Sequence, residues 1–253
     1  MRIARFTVEG EIAFGVVDGD TVTAIAGHPF APFELSAATF PLAGVRLLAP
    51  VVPSKVVGVG RNYAEHVREM GGGEPPAEPV LFLKPSTSVV GPGEPVRLPA
   101  LSQEVHHEGE LAVVVGRLVR EVPVERALEA VLGYTCGNDV TARDLQRSDA
   151  QWTRAKGFDT FCPLGPWIET DLDPSDVLVS CSVDGSVRQS ARTSAMLQGV
   201  AELVSYVSAV MTLLPGDVIL TGTPEGVGPI ADGDTVEVSV EGIGALTNPV
   251  VAA

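Results

Sequence analysis

Two glutamates, separated by a single residue, stand at the head of a strongly apolar run. His106-His107-Glu108-Gly109-Glu110 leads directly into Leu111-Ala112-Val113-Val114-Val115. Asp139 follows within Gly133-Tyr134-Thr135-Cys136-Gly137-Asn138-Asp139-Val140-Thr141-Ala142-Arg143-Asp144. In a strand, side chains at i and i+2 leave the same face, so Glu108 and Glu110 are expected to project together. Neighbouring carboxylates repel, and burying them unpaired is costly. A divalent cation is the simplest partner that keeps both ionised, and Asp139, brought back by a crossover, offers a third oxygen donor. A Glu-x-Glu pair at a strand end is otherwise a solvated edge, so the remaining chemistry-bearing residues weigh in the choice.

Arg61-Asn62-Tyr63-Ala64-Glu65-His66-Val67-Arg68-Glu69-Met70 reads as a short helix that Asn62 can cap, followed by Gly71-Gly72-Gly73. On it His66 and Glu69 are i, i+3 neighbours able to hydrogen-bond. A short helix bordered by glycines is a plausible mobile lid; the alternative is a surface pair without a role. Lys156 lies in Trp152-Thr153-Arg154-Ala155-Lys156-Gly157, within a stretch to Pro166 expected to be a shaped loop. Thr221-Gly222-Thr223-Pro224-Glu225-Gly226-Val227-Gly228 is Gly-rich but lacks the Lys-Ser/Thr ending of a phosphate-binding loop, which argues against nucleotide binding.

The elements that position these groups are mostly strands. Residues 1–52 are expected to form a small β-rich N-terminal domain, with strands at Arg2–Val8, Ala13–Val17 and Thr21–Ile25 and a hairpin at Asp18-Gly19-Asp20. The repeat of Asp-Gly-Asp-Thr-Val at Asp232–Val236 suggests the same hairpin chemistry. Residues 53–253 are expected to form the second, larger domain. Strands are predicted at Lys55–Gly60 and Pro79–Lys84, a helix over Glu125–Leu132, a hairpin about Asp184-Gly185, and a helix from Thr193 or Ser194 to about Leu213.

With 17 Lys and Arg against 32 Asp and Glu, the net charge is −15. Nucleic acid and anionic membrane surfaces are excluded as partners, since both need clustered cations. Three scattered cysteines do not make a disulfide framework and fit a cytoplasmic location. No apolar run of membrane-spanning length is present.

Together these stretches resemble the fumarylacetoacetate hydrolase family, from about Lys55 to Pro249. The carrying residues are Gly60-Arg61-Asn62-Tyr63 with His66, His107-Glu108-Gly109-Glu110-Leu111, Gly133-Tyr134 with Asn138 to Asp144, Trp152 to Lys156, and Leu214-Pro215-Gly216-Asp217-Val218-Ile219-Leu220-Thr221-Gly222-Thr223-Pro224. The resemblance implies a β-rich α+β fold, a mixed β-roll catalytic domain with the small N-terminal domain, and a homodimer. It makes Glu108, Glu110 and Asp139 ligands of Mg²⁺ or Mn²⁺, which hard oxygen donors favour. His66, Glu69 and Lys156 become catalytic, and Arg61, Tyr63, Arg143, Gln146 and Thr223 bind a small-molecule 2-oxo acid.

The family spans several reactions that share an enolate stabilised by the metal. The layout is most similar to the bacterial 2-hydroxyhepta-2,4-diene-1,7-dioate isomerase and 5-carboxymethyl-2-oxo-hex-3-ene-1,7-dioate decarboxylase branch. The expectation is therefore an isomerase or decarboxylase of 2-oxo dicarboxylates, oxaloacetate included. An acylpyruvate or fumarylpyruvate hydrolase is the alternative, and a non-catalytic binding protein retaining the fold a remote one.

Overall fold

The run after Glu110 becomes the strand Gly109–Val115, buried at all seven positions. Its two antiparallel neighbours are Val131–Asn138 and Val218–Leu220. A strand covered on both faces reads as a continuous apolar run instead of an alternating one. The period of two reappears in what each face meets. Leu111, Val113 and Val115 pack with Val179, Cys181, Val238 and Leu246, and with Leu203 and Val207 of the helix Val200–Val210. Ala112 and Val114 pack on the other side with Ile3, Val56, Leu164, Ile168 and Val218. Each fully buried Leu or Val contributes about 1.5–3 kcal/mol.

The computed structural model describes residues 1–252, of which 44% are strand and 17% helix, so the helices are short connectors between sheets. The large sheet runs, in spatial order, Glu34–Pro41, Thr21–Ala26, Glu11–Asp18, Arg2–Val8, Cys162–Glu169, Val131–Asn138, Gly109–Val115, Val218–Leu220, Val56–Gly60 and Val80–Lys84. Val56–Gly60 pairs parallel with Val218–Leu220 and the rest of that path is antiparallel, which gives the mixed sheet expected. A five-stranded sheet covers one face, ordered Ser186–Arg192, Leu178–Val183, Thr235–Val240, Gly244–Ala252 and Val96–Leu98. Three short strands, Thr141–Ala142, Val105–His107 and Gly228–Pro229, close the rim beside the two glutamates.

The N-terminal strands meander onto the edge of the large sheet. They join it through only two residue pairs, Arg2 with Glu169 and Ile3 with Ile168. Ala4, Phe6, Val17 and Val22 form a core cluster of their own. The division at residue 52 is a proposal that these two features favour, although Ile3 and Val51 pack into the core of the large sheet and Trp167 packs on the N-terminal cluster.

Several local expectations are corrected. The long helix predicted to run from Thr193 or Ser194 to Leu213 is a 3₁₀ turn at Thr193–Ala195 and an α-helix at Val200–Val210 only. Residues between them are held extended by Asn62, whose backbone and side-chain oxygens accept from the amides of Leu197 and Gln198. Asn62 therefore does not cap the helix Ala64–Glu69; the residue before that helix is Tyr63, with no side-chain cap. The predicted helix Glu125–Leu132 is one turn, Val124–Ala127, plus a 3₁₀ turn, and Val131 already begins the next strand. The expected loop after Trp152 holds the short helix Thr153–Lys156 and the strand Cys162–Glu169. The strands Glu34–Pro41 and Arg46–Leu48 went unforeseen. Asp18-Gly19-Asp20 does sit at a hairpin, but Asp232-Gly233-Asp234 joins strands of two different sheets.

Candidate active site

Glu108 falls in the break between Val105–His107 and Gly109–Val115, outside the ladder. Its backbone is held instead by Asn138, whose side-chain oxygen accepts from Glu108 N at 3.0 Å, and by Asp139 N, which donates to Glu108 O at 2.9 Å. The register Gly109 to Asn138 sets Asp139 beside Glu108. The glutamates thus converge through a strand break closed by Asn138, and not through a regular pleat. Oxygen atoms of Glu108, Glu110 and Asp139 lie within 4.8 Å of one another. The three residues are 4%, 2% and 1% exposed, so the solvated-edge alternative fails.

Three buried cations meet this cluster. Lys156 Nζ lies 2.8 Å from Glu108 Oε2 and 2.5 Å from Asp139 Oδ2. Arg143 Nη2 lies 2.5 Å from Glu108 Oε1, and Lys84 Nζ 2.6 Å from Asp139 Oδ1. Glu110 has no such partner among the described residues. Its one protein hydrogen bond comes from Gly222 N at 2.7 Å. Burial, then the charges of Asp139 and Glu108, push the Glu110 carboxyl well above the usual range. Burial also acts to raise Glu108, but Lys156, then Arg143 and His66, outweigh it and hold that carboxyl well below the usual range. For Lys156, burial opposes the charge while Asp139 and Glu108 favour it, and the net effect is a raised pKa.

The donor set fits a hard divalent cation. Each carboxylate oxygen has two lone pairs, so Glu108 Oε2 and Asp139 Oδ2 can accept from Lys156 and still offer a pair to an ion. Glu110, buried beside two negative charges with a single amide for company, is the group most relieved by added positive charge.

A cavity of about 220 Å³ opens over the cluster. Glu108, Glu110, Asp139, Lys156, Arg143, Gln146, Thr223, His66 and Arg61 all line it. Gln146 accepts from Arg143 Nη1 at 2.5 Å and so helps to hold that guanidinium flat against Glu108. His66 Nδ1 meets Glu69 Oε2 at 3.1 Å, while the other Glu69 oxygen accepts from Gly226 N at 2.9 Å. Glu69 stands behind His66 and does not itself reach the cavity wall.

Two expected substrate contacts look different. Tyr63 is buried at 2% exposure and does not line the cavity. Its hydroxyl has no hydrogen-bond partner, and burial followed by the charges of Glu110 and Glu225 raises its pKa. The Thr223 hydroxyl already donates to Gly109 O at 2.9 Å and accepts from Gln189 Nε2 at 2.7 Å. Its side chain has a lone pair left for a ligand, and no proton to give to a substrate carboxylate while the Gly109 bond lasts.

Four residues that build the site receive no role in it from the sequence. Lys84 closes an apolar strand in a chain with only three lysines, and that rarity was the available signal. Gln189 is buried and fully bonded, accepting from Gly109 N at 2.9 Å, meeting His107 Nδ1 at 3.1 Å, and donating to Thr223 and Pro224 O. Nothing in the exposed-looking string Ser186–Arg192 announces it. Phe82 and Trp152 form an apolar strip of the cavity wall, edge-on with ring centroids 5.6 Å apart.

A mixed β-roll holding a Glu-x-Glu and Asp cluster under a short His-Glu helix is the arrangement that the family resemblance implied. The chain belongs to the fumarylacetoacetate hydrolase family: residues 55–251 match the model described as Fumarylacetoacetate (FAA) hydrolase C-terminal. Residues 1–50 match a second model, Rv2993c-like, N-terminal.

The structure is similar to that of a 5-carboxymethyl-2-hydroxymuconate delta-isomerase from Mycobacterium smegmatis, at 58% identity and TM-score 0.94, with both chains covered completely. It is similar also to a 2-hydroxyhepta-2,4-diene-1,7-dioate isomerase from Mycobacterium marinum, at 54% identity and TM-score 0.93, over 100% of this chain and 98% of that one. More distant relatives include a mitochondrial oxaloacetate tautomerase of Bos taurus, 44% identical over 83% of this chain and 71% of that one. A maleylpyruvate hydrolase from Sphingobium sp. SYK-6, solved in complex with manganese(II) and pyruvate, is 34% identical with TM-score 0.82 over the full length of both chains.

Proposed function

We propose that this chain is a divalent-metal-dependent enzyme acting on 2-oxo dicarboxylates as an isomerase or decarboxylase. The carrying observation is Glu110, a buried carboxyl beside two others and without a cationic partner among the described residues, in a cavity that His66 and Lys156 also line. Glu108, Glu110 and Asp139 would hold Mg²⁺ or Mn²⁺, and the manganese in the Sphingobium hydrolase supports a hard cation. When bound, the cation supplies Lewis-acid polarisation of the substrate oxygen beside the breaking or rearranging bond.

The chain's own residues supply the rest. Lys156 Nζ brings a fixed positive charge to the same oxygens' side of the cavity, and its raised pKa keeps that charge in place at neutral pH. Arg143, clamped between Glu108 and Gln146, presents its guanidinium to a ligand carboxylate without having to be ordered on binding. His66 has Nδ1 turned to Glu69, which leaves Nε2 as the nitrogen able to take a proton. Glu69 then stabilises the imidazolium, and its second oxygen, tied to Gly226 N, keeps the pair in register. A proton taken at one carbon and returned at another is isomerisation; a carboxylate lost from the polarised substrate is decarboxylation. The two mycobacterial isomerases and the oxaloacetate tautomerase favour this order of readings. Hydrolysis of an acylpyruvate is the second reading, favoured by the maleylpyruvate hydrolase and by a His–Glu pair able to activate water. A homodimer and a cytoplasmic location remain part of the proposal. No helix among the described residues is long and apolar enough to cross a membrane.

The test is turnover of 2-hydroxyhepta-2,4-diene-1,7-dioate, oxaloacetate and acetylpyruvate with Mg²⁺ or Mn²⁺, each repeated with EDTA. Isomerisation or decarboxylation abolished by EDTA is the expected result. Cleavage of acetylpyruvate alone moves the chain to the hydrolases, and EDTA-insensitive turnover removes the metal from the account.

A further inference from the structure

We propose that Arg61 selects substrates that carry a second, distal carboxylate. This rests on the 2-oxo acid reading of the cavity and adds the residue that recognises the far end of the ligand.

The cations at the inner end of the cavity already have partners. Lys156 is paired with Glu108 and Asp139, and Arg143 with Glu108. Arg147, also on the wall, is bound by Glu104. Arg61 is exposed, lines the same cavity, and makes no side-chain hydrogen bond or ion pair among the described residues. A cation without a protein partner among the described residues, on a wall whose other cations are paired, marks a place for an anion that arrives from outside.

The backbone gives a second, independent observation. Arg61 has φ +62°, in the left-handed region that glycine adopts without strain. The conformation is imposed by its neighbours. Asn62 is pinned by bonds from Nδ2 to Gln198 O and Thr221 O and by a bond from Gln198 N. On the other side, a Cβ on Gly60 would lie 2.8 Å from the Trp152 ring. A long cationic residue sits where glycine would relieve the backbone, and such a strained position points to use of the side chain.

Lys156 Nζ, at the carboxylate cluster, lies 4.7 Å from the centre of the Phe82 ring, Phe82 meets Trp152 edge-on, and the Trp152 ring stands against Gly60, the neighbour of Arg61. The sequence of surfaces is thus charged head, apolar middle, free guanidinium. It matches a ligand whose 2-oxo acid end enters first, whose short carbon chain lies on the aromatic rings, and whose second carboxylate meets the guanidinium in a two-point bond.

The experiment is calorimetric binding of 2-oxoadipate and 2-oxohexanoate, equal in chain length and differing in the distal carboxylate, to the Mn²⁺-loaded protein. The wild type is expected to prefer the dianion roughly 10- to 100-fold, the worth of a hydrogen-bonded charge pair. Arg61→Gly should erase the preference while keeping or raising the melting temperature, because glycine suits that φ. Arg61→Lys should retain part of it. Equal binding of both acids by the wild type, a preference that survives Arg61→Gly, or equal loss of both ligands in the two variants overturns the role of Arg61 alone. If the wild type binds neither acid and turns over no 2-oxo acid, the reading of the cavity falls and this proposal with it.

Discussion

Below the folded Glu110 pKa, manganese affinity should rise about tenfold for each unit by which the pH is increased. The cation needs the carboxylate, whereas the metal-free site favours the protonated form, since burial and the charges of Asp139 and Glu108 hold that carboxyl well above the usual range. Each unit of pH below that pKa therefore costs about 1.4 kcal/mol of binding. Titration with Mn²⁺ in buffers of different ionisation enthalpy should show release of about one proton at the acid end, falling toward zero as pH rises. Glu110→Gln should bind more weakly and lose the pH dependence.

The same linkage fixes the stability of the metal-free protein. Glu110 is raised in the fold, so its contribution is fully present below the unfolded value near about 4.3 and is lost as pH climbs toward the folded value. Glu108 is lowered, so its contribution is present above that unfolded value and is lost as pH falls. The melting temperature of the metal-free protein should thus decline as pH rises above the usual carboxylate range, and Mn²⁺ should remove the decline. A manganese affinity that does not change with pH, with no proton released, would refute the assignment of a protonated, uncompensated Glu110.

Lys84→Met should cost about 3 kcal/mol, because Asp139 Oδ1 loses a buried partner at 2.6 Å; denaturant unfolding measures it, and a loss below about 1 kcal/mol would show that Lys156 alone suffices. His66→Ala should slow isomerisation or hydrolysis by about 10²–10⁴ and affect simple decarboxylation less, while equal losses on all substrates would assign the His66–Glu69 pair to closure of the cavity. Gly226→Ala should lower the melting temperature and weaken the hold of Glu69 on His66. Its Cβ would fall 2.0 Å from Arg188 O at φ +93°, and a variant with wild-type stability and kcat would contradict that geometry.

Much of the site was legible because its chemistry is concentrated in short strings. Glu108, Glu110 and Asp139 announced themselves by type and spacing, and His66 and Glu69 by helical spacing, before any contact was known. Strand periodicity alone does not bring the glutamates together: Glu108 is outside the ladder, and Asn138 closes the break that turns it inward. Lys84 and Gln189 were missed because their function comes from burial against partners 55 and 80 residues away, Asp139 and Gly109, which no local pattern encodes. Long-range bonds also overruled local propensity. Asn62 looked like a helix cap and instead holds the chain at Leu197 and Gln198 extended, which shortened the long helix predicted there.

The sequence by itself determined that a buried strand follows Glu110, the hairpins at Asp18–Asp20 and Asp184–Gly185, and which carboxylates could serve as oxygen donors. These follow from residue type and from periods of two or of one turn, which are local properties. Only the tertiary structure decided which carboxylates were compensated. Glu108 and Glu110 are chemically identical and two residues apart, yet Lys156 and Arg143 pair with one and, among the described residues, no cation pairs with the other. That difference is set by where three separate segments deliver their charges, and it gives one glutamate a lowered and the other a raised pKa.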